Sequence, residues 1–308
     1  MSPEMSGPPA PDPGICVPKI SVIVPVYRQW ALVPALRAAL GAQSLAPARF
    51  ELVLADNEPG AAGPVPEDIA PLPGGPGPDT RRIAAARPGA YAARNAGAAA
   101  ASGGLLVFTD ADCRPEPDWL AALAAAAAET PRALLAGPVR MTAPARPGPC
   151  AIYDLVRGIP QGSYVSRGYA ATANLAVPAA VFAALGGFDA RRFSGGDAEF
   201  CRRAGRAGHA LRLVAGAVVA HPARADWAGT ALKARRIKGG QIAAGPWPRR
   251  IAWGLRTLAP PVRDIARFAR SPHPARHRLI AVGVRLRLWG VELAETARLL
   301  AGGPPERR

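Results

Sequence analysis

At 308 residues and 49% hydrophobic content, the chain can bury a full core, which excludes whole-chain disorder and suits one large domain or one domain with an appendage. Its formal net charge of +16 is unevenly spread: Asp226 to Arg308 carries 17 Lys or Arg against 5 Asp or Glu, a net of +12, leaving +4 for residues 1–225. That asymmetry points to an anionic partner for the C-terminal part, either a membrane surface or nucleic acid.

Residues 1–17 are dense in Pro and Gly and read as a flexible leader, so the fold is expected to start near Lys19. The apolar, β-branched run Ile20, Ser21, Val22, Ile23, Val24 predicts a strand buried on both faces and ending at Pro25. Trp30 to Ala42 has helical spacing, with Leu32, Leu36 and Leu40 on one face, and Phe50 to Ala55 predicts a second buried strand ending in Asp56, Asn57 and Glu58. Strand, helix and strand in that order imply a parallel sheet with a right-handed crossover, hence an α/β fold. Residues 59–80 read as a long Pro- and Gly-rich loop. The remaining expectations are strands at Arg81 to Ala86, Leu105 to Thr109, Ala133 to Val139 and Leu211 to Ala220. Helices are expected at Ala90 to Ala101, Trp119 to Glu129 and Asp197 to Gly205, with another ending at Gly186, and Ala145 to Gly168 is expected to be irregular. From Asp226 onward the chain reads as basic and helical, interrupted by Pro246, Pro248, Pro260 and Pro261.

The four cysteines, Cys16, Cys113, Cys150 and Cys201, are scattered without Cys-x-x-Cys spacing, so reduced thiols in a cytoplasmic setting are expected. The N-terminus lacks a basic stretch leading into an apolar run, so no signal peptide is expected. No window offers the roughly 20 uncharged apolar residues of a membrane-spanning helix.

In open α/β sheets ligands bind beyond the carboxyl ends of strands, and three predicted strands end in polar groups: Pro25 to Tyr27, Asp56, and Asp110 with Asp112. Two carboxylates one residue apart at such an end suit a hard cation, Mg²⁺ or Mn²⁺. A dinucleotide-binding oxidoreductase is disfavoured, because Pro25, Val26 and Tyr27 stand where a Gly-x-Gly-x-x-Gly turn is needed.

From about Lys19 to His221 the sequence resembles the family 2 nucleotide-sugar glycosyltransferases. The resemblance rests on ordered pieces: Ser21 to Tyr27 (SVIVPVY), Asp56, Ala93 to Gly97 (ARNAG), Phe108 to Asp112 (FTDAD), Thr172 to Ala176, Val181 to Asp189, and Gly195 to Arg203. It implies the GT-A fold, a Rossmann-like, mostly parallel central sheet flanked by helices, over residues 18–225, with 226–308 as a basic, mainly helical extension. It also implies an inverting, metal-dependent transfer of a sugar from a nucleoside diphosphate, with UDP expected, to an acceptor hydroxyl.

By resemblance, Pro25, Tyr27, Asp56, Arg94, Asn95 and Asp110 contact the nucleotide sugar, Asp110, Asp112 and His221 hold Mn²⁺ or Mg²⁺, and Asp197 is the catalytic base. Many relatives carry Glu-Asp where this chain has Gly196 and Asp197. The competing reading of Asp197 is a helix N-cap, of Arg94 a solvated helix residue, and of Asn95 a turn former. The alternatives for the whole chain are a membrane-peripheral nucleotide-sugar-binding protein without catalysis and a nucleotidyltransferase of related fold.

The expected partners are a nucleotide-sugar donor and a saccharide or lipid-linked acceptor, in bacterial surface polysaccharide or glycolipid assembly. Nucleic acid is not expected, since no binding module or stacking-aromatic pattern accompanies the basic charge. Peripheral contact with an anionic membrane, at the inner face of the cell membrane, is expected through a stripe of Leu279, Val282, Leu286, Trp289, Leu293 and Leu300, with Arg287, Glu295 and Arg298 on the other side. The competing reading packs that stripe against the catalytic domain.

Overall fold

A computed structural model describes residues 19–58, 78–192, 194–242 and 247–306. The predicted leader, most of the predicted loop at 59–80 and the helix-interrupting Pro246 lie outside these residues. In chain order the elements begin with β1 (Ile20–Val26), α1 (Val33–Gly41), β2 (Phe50–Asp56), β3 (Asp79–Ala84), α2 (Ala90–Ala100), β4 (Leu105–Phe108), β5 (Arg114–Pro115) and α3 (Trp119–Glu129). They continue with β6 (Leu134–Ala136), β7 (Val139–Thr142), α4 (Pro149–Arg157), α5 (Gln161–Val165), β8 (Leu175–Pro178), α6 (Ala179–Ala184), α7 (Gly196–Arg206), β9 (Leu211–Leu213) and β10 (Val219–Pro222). Four helices close the chain: α8 (Trp227–Ile242), α9 (Trp247–Leu258), α10 (Val262–Ala269) and α11 (Ala275–Leu300).

The central sheet has the order β3-β2-β1-β4-β8-β6-β9. Its pairs are parallel except those made by β8, which runs against β4 and β6. β1 pairs along its whole length with β2, and Pro25 stands opposite Ala55, so the strand runs through the proline rather than ending there. Both faces of the sheet are covered. Ile20, Val22 and Val24 of β1 with Leu105 and Val107 of β4 pack under α1 and α3, while Ile23, Leu106 and Phe108 pack under α2, α6 and α7. A strand covered on both sides has no polar face, which is why these segments read as unbroken apolar runs.

Several expectations change. Asp79 and Thr80 belong to β3 rather than to a loop, and Ala145 to Gly168, expected to be irregular, holds α4 and α5. The single strand expected at Ala133 to Val139 divides into β6 and β7, which lie in different sheets, and Leu211 to Ala220 divides the same way into β9 and β10. The first break falls at Gly137, where a Cβ would collide with the Ala217 carbonyl and Asn174 Nδ2. β7, β10 and β5 form a small second sheet that carries His221.

The C-terminal helices pack against α4 through Ile152, Tyr153, Val156, Ala234, Phe268, Ala281, Val284 and Leu288. On α11 the buried face is Ala281, Val284, Leu288, Glu295, Thr296 and Leu299, not the predicted stripe. Leu279, Leu286 and Leu300 of that stripe are exposed, and Glu295, expected on the outer side, is buried with its carboxylate held by Arg298 at 2.6 and 2.8 Å. Among the described residues no helix is long and apolar enough to cross a membrane.

One buried carboxylate ties the sheet together away from the ligand-binding edge. Glu51 of β2 is 1% exposed and accepts hydrogen bonds from the Ser21 hydroxyl at 2.6 Å, from the Ser102 N–H at 2.6 Å and hydroxyl at 2.9 Å, and from Arg81 at 2.5 Å. Burial opposes its charge, but these donors outweigh burial and bring its pKa from 4.5 to about 2. A carboxylate depressed in the folded state adds stability above its unfolded pKa and loses it on acidification. Glu51→Gln should therefore cost about 1–3 kcal/mol near neutrality, and chemical denaturation across pH should show that difference shrinking as pH falls from 4.5 towards 2. A difference independent of pH would assign the effect to packing alone.

Candidate active site

The strand ends at the carboxyl edge of the central sheet open into a cleft of about 970 Å³. Pro25 near the end of β1, Tyr27 just after it, Asp110 and Asp112 after β4, Arg94 from α2, Asp197 from α7 and His221 from β10 all line it. Tyr27 is followed by Arg28, whose backbone is left-handed at φ 53 and whose guanidinium lies 5.0 Å from the Tyr27 ring centroid. The chain thus turns sharply at the rim, where a Rossmann dinucleotide site would need glycines.

Ligand atoms of Asp110, Asp112, Cys113 and His221 lie within 4.8 Å of one another. Burial pushes the Cys113 thiol far up, with the two neighbouring carboxylates adding to the shift, and the thiol faces the Ala173 carbonyl at 3.9 Å. Mn²⁺ and Mg²⁺ prefer oxygen donors to a thiol, and Cys113 is buried against the Ala173 carbonyl. What remains is two carboxylates and an imidazole, an oxygen and nitrogen set suited to Mn²⁺ or Mg²⁺. Asp112 Oδ1 is buried, makes no hydrogen bond and sits 3.7 Å from His221 Nε2. His221 Nδ1 lies 2.8 Å from the Pro222 carbonyl, which orients the ring so that Nε2 faces Asp112. An orphaned carboxylate oxygen beside a ring nitrogen so oriented fits a divalent cation.

The two carboxylates are pushed apart electrostatically. For Asp110 burial is opposed by Arg94, whose guanidinium is 2.5 Å away, and by His221, so its pKa falls below the usual carboxylate range. For Asp112 burial and the Asp110 charge prevail over His221, and its pKa rises. A divalent cation held by these residues would favour both carboxylates in the ionised form.

Asp197 is not the N-cap. Gly195, left-handed at φ 72, caps α7, and Asp197 sits in the first turn, where a carboxylate complements the helix dipole. Its Oδ1 accepts hydrogen bonds from the Ala198 N–H at 2.9 Å and from the Tyr91 hydroxyl at 3.1 Å. Burial, with Asp197 next, pushes the Tyr91 phenol far up, so it stays a donor. Gly196, the departure from the pattern of relatives, has a local reason: a Cβ there would come within 2.7 to 2.9 Å of the Tyr91 ring carbons. The sequence signal for Tyr91 was that unexplained glycine.

Two predicted contacts are placed differently. Asp56 is 1% exposed and does not line the cleft; its Oδ2 is held by Arg82 at 2.5 and 3.0 Å, and its Oδ1 accepts from the Glu58 N–H at 3.0 Å. The neighbouring Asn57 lines the cleft instead. Asn95 clamps backbone: its Nδ2 donates to the Phe188 carbonyl at 2.7 Å and its Oδ1 accepts from the Phe188 N–H at 2.9 Å. Arg94 is not a solvated helix residue: its side chain, like that of His221, is 6% exposed.

Sequence reasoning gave no role to Asn174, which is fully buried. Its Oδ1 accepts from Trp119 Nε1 at 2.9 Å, and its Nδ2 donates to the Pro138 and Ala217 carbonyls at 3.0 and 2.7 Å. It thereby joins α3, the break between the two sheets and the approach to β10, positioning His221 through backbone. Such a hub has no sequence signature beyond a polar residue before an apolar strand.

The sequence pattern of glycosyl transferase family 2 matches residues 21–148. Glycosyltransferase AglE of Haloferax volcanii is 31% identical over 209 residues, covering 68% of each chain. Among solved structures, the mannosyltransferase PcManGT of Pyrobaculum calidifontis, in complex with GDP-Man and Mn²⁺, superposes with a TM-score of 0.52 at 19% identity, over 95% of this chain and 87% of its own. GalNAc-T7 with UDP, GalNAc and Mn²⁺ has a TM-score of 0.52 at 18% identity, over 68% of this chain and 45% of its own. At those identities the superpositions speak for the fold, and the sequence match speaks for the family. With its GT-A sheet and the Asp110–Asp112 pair at the end of β4, the chain belongs to glycosyltransferase family 2.

Proposed function

We propose that the chain catalyses inverting, metal-dependent transfer of a sugar from a nucleoside diphosphate sugar, with UDP as the expected nucleotide, to an acceptor hydroxyl. Surface polysaccharide or glycolipid assembly is the proposed setting. The supporting observation is that Asp110, Asp112, His221 and Asp197 line one cleft at the carboxyl edge of the sheet. Asp110, Asp112 and His221 would hold Mn²⁺ or Mg²⁺, which when bound neutralises charge on the departing diphosphate.

Arg94 keeps Asp110 ionised, and Pro25, Tyr27 and Asn57 shape the nucleotide end of the cleft. Asp56 contributes to that end by anchoring Arg82 and the turn to Glu58 rather than by touching ligand. Asp197 accepts the proton of the acceptor hydroxyl, whose oxygen bonds to the anomeric carbon as the bond to diphosphate breaks. A single carboxylate base with one displacement inverts the anomeric centre. Tyr91 holds one oxygen of that carboxylate and leaves the other for the proton. The binding-only alternative is disfavoured because a site that merely holds nucleotide has no use for Asp197 in the cleft.

The proposed membrane contact lies on α9. Trp247, Ile251, Leu255 and Leu258 repeat at three- and four-residue spacing and are 68%, 41%, 63% and 61% exposed, and Val262 at the start of α10 is 63% exposed. Arg249 and Trp253, on the other side of α9, line the cleft. An apolar helix face with arginines beside it suits an anionic interface, and one lying on this ridge would bring the cleft close to lipid-linked acceptors. We place the protein at the inner face of the cell membrane, a setting consistent with buried, unpaired Cys113, Cys150 and Cys201.

Purified protein screened against UDP- and GDP-linked sugars with Mn²⁺ should release free nucleoside diphosphate with one of them, and EDTA should stop it. Asp110→Ala and Asp112→Ala should lower turnover by roughly a thousandfold or more without unfolding the protein. Asp197→Asn should cost about 10²–10⁴ in turnover while leaving nucleotide affinity intact. Full activity in EDTA, or wild-type turnover in Asp197→Asn, would defeat the reading. Separately, the intact protein should sediment with phosphatidylglycerol vesicles at low salt and a Trp247→Asp, Leu255→Asp variant should not; equal sedimentation of the two would remove α9 from the contact.

A further inference from the structure

Beyond the metal-binding corner, the cleft wall is built of cations from three separate places. Arg157 ends α4, Arg224 follows β10, and Lys233 and Arg236 stand one turn apart on α8; all four side chains line the cleft. Asp154 faces them, with Asp264 also near Arg157 and Asp110 near Arg236. Asp154 Oδ2 accepts from the Arg224 guanidinium at 2.9 Å and from the Arg224 N–H at 3.1 Å. Among the described residues Arg157, Lys233 and Arg236 form no ion pair, and Arg236 Nε is buried without a hydrogen-bond partner. Burial, then the charges of Arg157 and Arg224, push the Lys233 ammonium well below its ordinary pKa. Like charges gathered under partial burial oppose folding unless they serve a ligand of opposite sign.

The donor's diphosphate does not use up this charge. A nucleoside diphosphate ester is a dianion; Asp110, Asp112, Arg94 and a divalent cation held there would together leave +1 against it, so the donor takes up one of the four cations and not the rest. The remaining cations are in surplus, and the group adjoins the corner where transfer would occur: Arg236 lies close enough to Asp110, and Arg224 to Asp112, to influence their ionisation. Three of the four are arginines, whose forked donors suit phosphate oxygens.

We propose that Arg157, Arg224, Lys233 and Arg236 form a second anion subsite, distinct from the donor diphosphate site, which takes a phosphate group carried by the acceptor. The acceptor is thereby narrowed from any saccharide or lipid to a phosphate- or diphosphate-bearing one, with that group close to the hydroxyl that reacts. This rests on the transferase reading above.

The test titrates the intact protein by calorimetry, first with UDP or GDP and Mn²⁺ to saturation, then with farnesyl phosphate as a soluble probe. Farnesyl phosphate should bind the nucleotide-saturated protein, and farnesol, which lacks the phosphate, should not. Lys233→Met and Arg157→Gln should each weaken farnesyl phosphate at least tenfold while changing nucleotide affinity less than twofold. Lys233→Met removes a cation that its surroundings disfavour, so its melting temperature should equal or exceed the wild-type value, and Arg157→Gln should keep its nucleotide affinity, which shows that neither loss is unfolding. Nucleotide binding without farnesyl phosphate binding, or equal binding of farnesol, overturns the subsite alone. Loss of nucleotide affinity in the variants also overturns it, returning these cations to the donor diphosphate. Failure of the wild type to bind either nucleotide with Mn²⁺ overturns the donor reading and the subsite with it.

Discussion

Two carboxylates held close together and partly out of water must both be compensated, and the architecture around the end of β4 follows from that constraint. Asp110 and Asp112 are 32% and 25% exposed in their side chains, too little for solvent alone to separate their charges. Arg94 reaches Asp110 from α2, and His221 reaches Asp112 from the second sheet. Each compensator comes from a different part of the chain, so the site exists only when β1, β4 and α2 are stacked and β10 is joined to β7. The Asn174 hub lies at that joint: three hydrogen bonds bind α3, the turn after β6 and the approach to β10 into one piece.

Asp197 is positioned by apolar means. Phe108, the last residue of β4, and Phe200 of α7 belong to one cluster with Phe182 and Phe188, whose ring centroids lie 5.0 to 5.4 Å apart. Asp110 is two residues beyond one of these rings and Asp197 three residues before another. Tilted and edge-on rings of this size resist sliding, so the cluster sets how far the carboxylate of α7 stands from the pair on β4. Tyr91 adds a directional element: it packs 5.5 Å from Phe188, and its hydroxyl donates to Asp197. Gly196 is the concession that lets the ring lie there.

The basic C-terminal helices are part of the catalytic unit's wall rather than a detached tail. α11 packs along α4 and α8, and that packing presents Lys233 and Arg236 to the cleft, while α9 shows it Arg249 and Trp253. The net charge of this segment is therefore divided by direction, some of it facing the cleft and some facing solvent beside the apolar ridge of α9. A single charge asymmetry in the sequence corresponds to two surfaces with different chemistry.

Local sequence carried the parts of the molecule that depend only on which residues are apolar and how they are spaced. The double-faced strands at Ile20, Phe50 and Leu105, the helices at Ala90 and Trp119, and the Asp110–Asp112 pair at a strand end were all legible, because a strand covered on both sides must be apolar throughout and a polar pair can only follow where it ends. What tertiary structure decided was which neighbour covers or completes each side chain. The stripe on α11 was visible, but its apolar residues extend around much of the helix, and α4 and α8 cover the face of Val284 and Leu288 rather than that of Leu286 and Leu300. Asp56 read as a ligand contact until Arg82 on the adjacent strand met it, and Asn95 until Phe188, 93 residues away, took both ends of its amide. Gly196 read as a loss until the Tyr91 ring was found against it. Composition and periodicity act along the chain, whereas hydrogen bonding and close packing act across it, and only the folded arrangement brings those partners together.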